Sequence, residues 1–174
     1  LPLTQMPFGM NAYVPQTQIR QYWFFHPYDR SLEGVRLTHQ ACPWNRDFGT
    51  FLMLPQAGNH LGNNENERWS GYNPDEAVLK PHYMKLEFLR SRSVFELVPT
   101  ERGAIIRLNF NDDKYQPYFS ILRHAGNISI TFGNEANKVM GEVDFATYRY
   151  GVSVSFRLYF VFEFENGFNI EKSI

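Results

Sequence analysis

The chain has 174 residues, with 17 basic and 18 acidic side chains and a formal net charge of −1. That length suits one domain able to bury roughly 70% of its unfolded surface. The balanced charge leaves no basic field to hold nucleic acid or an anionic membrane, and no apolar run approaches the roughly 18 residues that a membrane span needs.

Taken in chain order, residues 1–19 read as loop, because Pro2, Pro7 and Pro15 forbid a continuous helix. Arg20 to Phe25 reads as a strand of β-favouring rings, followed by a turn at Pro27-Tyr28-Asp29-Arg30-Ser31. Glu33 to Thr38 alternates as a short strand. The block Thr38-His39-Gln40-Ala41-Cys42-Pro43-Trp44-Asn45-Arg46-Asp47-Phe48-Gly49 then leads into the apolar strand Thr50–Leu54, closed by Pro55. A stiff, aromatic, polar loop feeding a core strand is a common way for scaffolds to present binding residues.

Gln56 to Asn73, rich in Asn, Glu and Gly, reads as an exposed loop pinned at its end by Trp69 and Tyr72. Pro74 to Pro81 leaves room for one helical turn at most. From His82 the strand signals are regular: 82–90, 94–98, 104–110, 118–122, 128–132, 138–143 and 152–163. Gly126-Asn127 and Gly133-Asn134 mark tight turns. No segment keeps a 3.6-residue period over ten positions, so the expected fold is all-β, an antiparallel β-sandwich with little helix. The 16 Phe, 10 Tyr and 3 Trp suit such sheets, since flat rings pack well on a pleated surface.

Catalytic chemistry finds little purchase in these residues. His26, His39, His60, His82 and His124 show no metal-ligand spacing. Cys42 is the only cysteine, so no intrachain disulfide forms, and as a nucleophile it has no visible base. Glu65/Glu67, Asp75/Glu76 and Asp112/Asp113 are paired in sequence, but lie in hydrophilic segments where solvated carboxylates are the ordinary outcome. No catalytic residue and no metal ligand is assigned to the chain. Trp44 stands apart: it follows a proline and is flanked by Asn45, Arg46 and Asp47. It is either a packing plug for its loop or a platform that stacks on a sugar ring.

These residues resemble a known family. The order is Met6-Pro7-Phe8-Gly9-Met10, then the His39-Gln40…Pro43-Trp44…Asp47-Phe48-Gly49 block and Met53-Leu54-Pro55. Glu76-Ala77…Lys80-Pro81…Tyr83, Glu96-Leu97…Pro99-Thr100…Arg102 and Tyr159-Phe160-Val161-Phe162-Glu163-Phe164 come next. From about residue 6 to 168 the chain is similar to the N-terminal domain of glycoside hydrolase family 92, the calcium-dependent exo-acting α-mannosidases.

The resemblance implies one N-terminal, supersandwich-like β domain over residues 1–174, with a catalytic (α/α)6 barrel expected downstream. The inverting acid and base, and the calcium ligands, belong to that barrel, so this fragment alone is expected to be inactive and to bind no calcium itself. Its partners would be the C-terminal barrel of the same polypeptide and an α-mannoside glycan. Trp44 matches the family residue at the leaving-group sugar, and His39, Gln40 and Asp47 match residues of the same block that orient it. Periplasmic or secreted glycan degradation fits the family, with the cytoplasm as the alternative. The rival functions are a free-standing carbohydrate-binding module and a purely structural domain. The chain departs from the family pattern at Leu3-Thr4-Gln5-Met6, at Cys42 and in a compact stretch between Asn134 and Val152, where a shortened strand pair is expected.

Overall fold

The computed structural model describes residues 1–17, 24–39, 49–58, 61–62, 65–123, 127–132, 137–149 and 152–168. Its strands are β1 (Ala12–Gln16), β2 (Ser31–Leu32), β3 (Gly34–Thr38), β4 (Gly49–Ala57), β5 (Ser70–Gly71), β6 (Val78–Lys80) and β7 (Tyr83–Phe88). They continue as β8 (Ser93–Pro99), β9 (Ala104–Phe110), β10 (Pro117–Arg123), β11 (Asn127–Phe132), β12 (Lys138–Arg149) and β13 (Val152–Glu163). A single-turn helix, α1, covers Glu65–Arg68. The fold is all-β and antiparallel, a sandwich with almost no helix. No helix among the described residues is long and apolar enough to cross a membrane. The chain divides into two compact units, residues 1–122 and 123–174.

The first unit holds two four-stranded sheets, β1-β3-β4-β10 and β6-β7-β8-β9, and the small pair β2-β5. Strand alternation builds its core. Along β7, Met84, Leu86 and Phe88 point inward while Lys85 and Glu87 do not. Across the β7–β8 ladder Leu86 pairs with Phe95 and Met84 with Leu97, all fully buried. The Phe88 and Phe95 rings lie 6.4 Å apart and tilted. On β4 the run Phe51-Leu52-Met53-Leu54 is buried at every position, as expected where both faces of a central strand are covered. Each such side chain contributes about 1.5–3 kcal/mol of transfer free energy.

Several expectations change. β1 is a buried strand where three prolines suggested loop. The reason is its place at a sheet edge. Tyr13 exchanges both backbone hydrogen bonds with Thr4, so positions 13 and 15 turn their backbones away from β3. The missing N–H of Pro15 therefore costs no bond in the β1–β3 ladder. In Pro74–Pro81 the turn is confined to 74–76, and Val78–Lys80 pairs with β7 as an edge strand. The polar stretch carries α1, and only one of its aromatic pins holds: Tyr72 is 3% exposed but Trp69 is 45% exposed. Residues 18–23, most of the expected strand 20–25, lie outside the described residues, although Phe24 is buried.

The second unit is the sheet β11-β12-β13. β12 does not end at Val143: it runs to Arg149 and pairs with β13 from Arg149↔Val152 to Lys138↔Glu163. The strand thus continues six residues beyond the expected 138–143, because the residues after Val143 still find cross-strand partners, with Arg157 against Asp144 at 2.7 Å. Gly141 faces Phe160 across this ladder, and a Cβ there would overlap the Phe160 ring. One face carries the buried Val139 and Val143; the other leaves Met140, Tyr159 and Val161 in water.

Candidate functional site

The block singled out in the sequence joins β3 to β4. Its ends are brought together by the ladder, in which Thr38 pairs with Gly49 and the register shifts between Leu37 and Thr38. Such an irregularity bends a strand end and re-aims the residues beyond it. Thr38 is fully buried and also pairs with Ala12 of β1. The base of the loop is therefore held by three neighbouring strands.

Two residues before the loop, Arg36 is buried. Its Nε and Nη2 donate to Gln16 Oε1 at 2.9 and 2.5 Å, and its guanidinium lies 3.8 Å above the Phe24 ring. A desolvated cation–π contact of this kind stabilises by about 2 kcal/mol. Alternation alone puts Arg36 on a wet face. The sequence carries no signal for its burial: neighbouring strands cover the edges of β3, and what covers the Arg36 face is Phe24, twelve residues earlier in the chain.

His39 is exposed, with Nδ1 3.0 Å from the Met10 carbonyl oxygen. A carbonyl only accepts, so Nδ1 carries the proton of that bond and Nε2 is left facing elsewhere. The ring is thus fixed by the turn at Met6–Met10. In that turn Gly9 N–H donates to the Met6 carbonyl at 2.9 Å, and Gln5 Nε2 donates to the Gly9 carbonyl at 2.9 Å. Met10 N–H donates to Glu101 O at 2.8 Å, and Asn11 Nδ2 to Arg102 O at 2.7 Å. His39, the Met6–Met10 turn and the 101–102 turn form one tied cluster. Pro7 occupies the second position of the turn and Phe8 the third, with φ +58°. That is the position of a type II turn that normally takes Gly or Asn, and a non-glycine residue held there costs roughly 1–3 kcal/mol. The Phe8 side chain is 103% exposed. Phe8 is absent from the site residues expected on sequence, although Pro-Phe-Gly is a turn signal with a ring at its tip.

Gln40, Trp44 and Asp47, with the rest of 40–48, lie outside the described residues. Of the four expected site residues, only His39 is placed.

The other chemistry-bearing groups are engaged in structure. Asp112 accepts from Arg92 Nη1 at 2.7 Å and from Lys114 N–H at 3.0 Å. Glu76 accepts from Asn73 Nδ2 at 3.0 Å. Asp29 accepts from Thr17 Oγ1 at 2.8 Å. Glu33 and Arg68 form a shielded ion pair at 3.6 Å that ties α1 to the strands before β3. Glu96 accepts from Tyr83 Oη and from Arg107 Nε; those two bonds hold its carboxyl below the usual range, and the same bond to Glu96 raises the Tyr83 phenol. Among the described residues no three His, Cys, Asp or Glu side chains converge. What this geometry does is position a loop.

The family model of the glycosyl hydrolase family 92 N-terminal domain matches residues 1–172. Among solved structures, the chain is similar to a family GH92 inverting mannosidase from Bacteroides thetaiotaomicron, with 24% identity and a TM-score of 0.72 over 93% of this chain and 25% of that one. A family GH92 alpha-mannosidase from the same organism matches with 20% identity and a TM-score of 0.74, over 95% of this chain and 24% of that one. The complex of that enzyme with mannoimidazole matches with 21% identity and a TM-score of 0.74, over 95% of this chain and 23% of that one. The chain thus spans about a quarter of the length of these structures. No curated protein matches the sequence. At these identities the structural likeness shows a shared fold, and the match of the family model over nearly the whole chain shows the lineage: the chain belongs to the N-terminal domain family of glycosyl hydrolase family 92.

Proposed function

We propose that this chain is the N-terminal β-sandwich domain of a calcium-dependent, inverting exo-α-mannosidase, exported to the periplasm or secreted. The observation that carries the reading is the family match over residues 1–172. In this reading a C-terminal (α/α)6 barrel supplies a carboxylic acid that protonates the glycosidic oxygen. It also supplies a carboxylate that activates water on the opposite face of the sugar, the two being roughly 6.5–9.5 Å apart. In this reading the calcium ligands belong to the barrel as well.

This domain's part is to shape the rim. Trp44 stacks on the leaving-group sugar, a contact of about 1 kcal/mol. Gln40 and Asp47 lie in the same loop and orient it. His39, the loop's first residue, is held against the Met10 carbonyl at 3.0 Å, and in this reading its other ring nitrogen, Nε2, meets the glycan.

The test is hydrolysis of α-mannosides by the polypeptide encoded by the whole gene, with the first-formed anomer read by NMR. The reading predicts release of β-mannose, loss of activity on calcium chelation, and no release above a blank by residues 1–174 alone. Retention of the α-anomer, indifference to chelation, or mannose release by the isolated chain would each contradict it.

A further inference from the structure

We propose that Phe8 is a docking knob, seated in the intact enzyme in an apolar recess of the domain C-terminal to this one. The proposal rests on the reading that such a domain exists, and it names the residue through which the two meet.

The Met6–Met10 turn contains a conflict. A large ring occupies a φ of +58°, which favours glycine, although Gly9 is its immediate neighbour. Strain of this kind persists only where the surroundings over-determine it. Here they do: the turn is closed by Gly9 N–H to Met6 O and braced by Gln5, Glu101, Arg102 and His39. Within this domain the strain yields no burial, since the ring is 103% exposed and Met6 and Met10 beside it are also exposed. A rigid turn that tolerates backbone strain to hold an aromatic ring in water has the form of an interface anchor: large, pre-ordered and flanked by flexible Met side chains.

The occupant is set by length and position. The family model describes an N-terminal domain, and this chain spans about a quarter of its structural neighbours. Three-quarters of each neighbour's length therefore lies outside the matched part. His39, bonded to the same turn, is also the first residue of the loop proposed to line the sugar site. A knob at this place would set the height of that loop against the domain bearing the reacting groups.

The experiment uses the polypeptide of the whole gene with Cys42→Ser as background. Phe8→Cys is compared with Tyr28→Cys, a reference whose parent side chain is 84% exposed. Docking predicts that the thiol at position 8 is labelled at least about tenfold more slowly, the ratio expected if opening the interface costs about 1.4 kcal/mol. Equal rates would overturn the proposal. So would protection that vanishes on dilution, which indicates a second copy, or protection that appears only when a mannoside is added, which indicates a sugar contact.

Phe8→Gly gives a second, signed readout. Glycine relieves the backbone at no steric cost, so a merely strained turn should melt higher, whereas loss of a knob should lower the melting temperature of the whole polypeptide. Mannoside hydrolysis is scored separately. Slow labelling without hydrolysis keeps the docking and overturns the mannosidase reading; hydrolysis with fast labelling does the reverse.

Discussion

In residues 1–122, alternation along β7 and β8 carries Met84, Leu86, Phe88, Phe95 and Leu97 out of water, and β4 adds Phe51 to Leu54. In residues 123–174 the same alternation along β12 and β13 buries Val139 and Val143 but leaves Met140, Tyr159 and Val161 exposed on the opposite face. The strand pattern is equally clear in both. What differs is whether both faces of a strand are covered, and a period of two in the sequence is silent about that.

The contrast can be broken by mutation. Phe95→Ala in the first unit should cost about 3–5 kcal/mol in chemical unfolding, since a fully buried ring leaves a cavity that β4 and β7 cannot fill. The next effect is a pH dependence on β1. Burial pushes the Tyr13 phenol up from 10.0 to about 12, opposed by its hydrogen bond with Asn11. The folded chain then holds that proton more tightly than the unfolded one. The resulting stabilisation is present below pH 10 and is lost as pH rises to about 12. Melts across this window should fall in the parent by the equivalent of about 2–3 kcal/mol and stay flatter in Tyr13→Phe. The smallest effect belongs to the second unit: Val161→Ala, at a position 62% exposed, should change stability by less than about 0.5 kcal/mol. A loss there equal to that of Phe95→Ala would end the distinction between the two units.

Much of the fold is legible because most strands announce themselves by alternation. Residues 83–88, 93–99 and 104–110 lie within two residues of where the pattern puts them. β1 escapes sequence reading because three prolines weigh against a strand unless its edge position, and the outward turn of Pro15, are known. The continuation of β12 beyond Val143 escapes it because Asp144 to Arg149 gains its strand character from partners on β13, up to thirteen residues away at Asp144↔Arg157. The site divides in the same way. The His39–Phe48 loop is legible as a block of residue types, and the structure places its base and one of its four named residues, His39. The bond from His39 to Met10 is not legible, since it arises where chain segments 29 residues apart meet; Phe8 has a local turn signal in Pro-Phe-Gly, which does not by itself reveal the positive φ.

If this domain lends Trp44 to the leaving-group side of a mannosidase site, the most direct measurement is kcat/KM of Trp44→Ala in the polypeptide of the whole gene. The substrates are an α-linked mannose disaccharide and an activated aryl mannoside. The loss should be about five- to tenfold greater on the disaccharide, because only that substrate presents a second sugar to stack upon the ring. Equal losses on the two substrates would contradict a leaving-group role and would make Trp44 a packing plug for its loop.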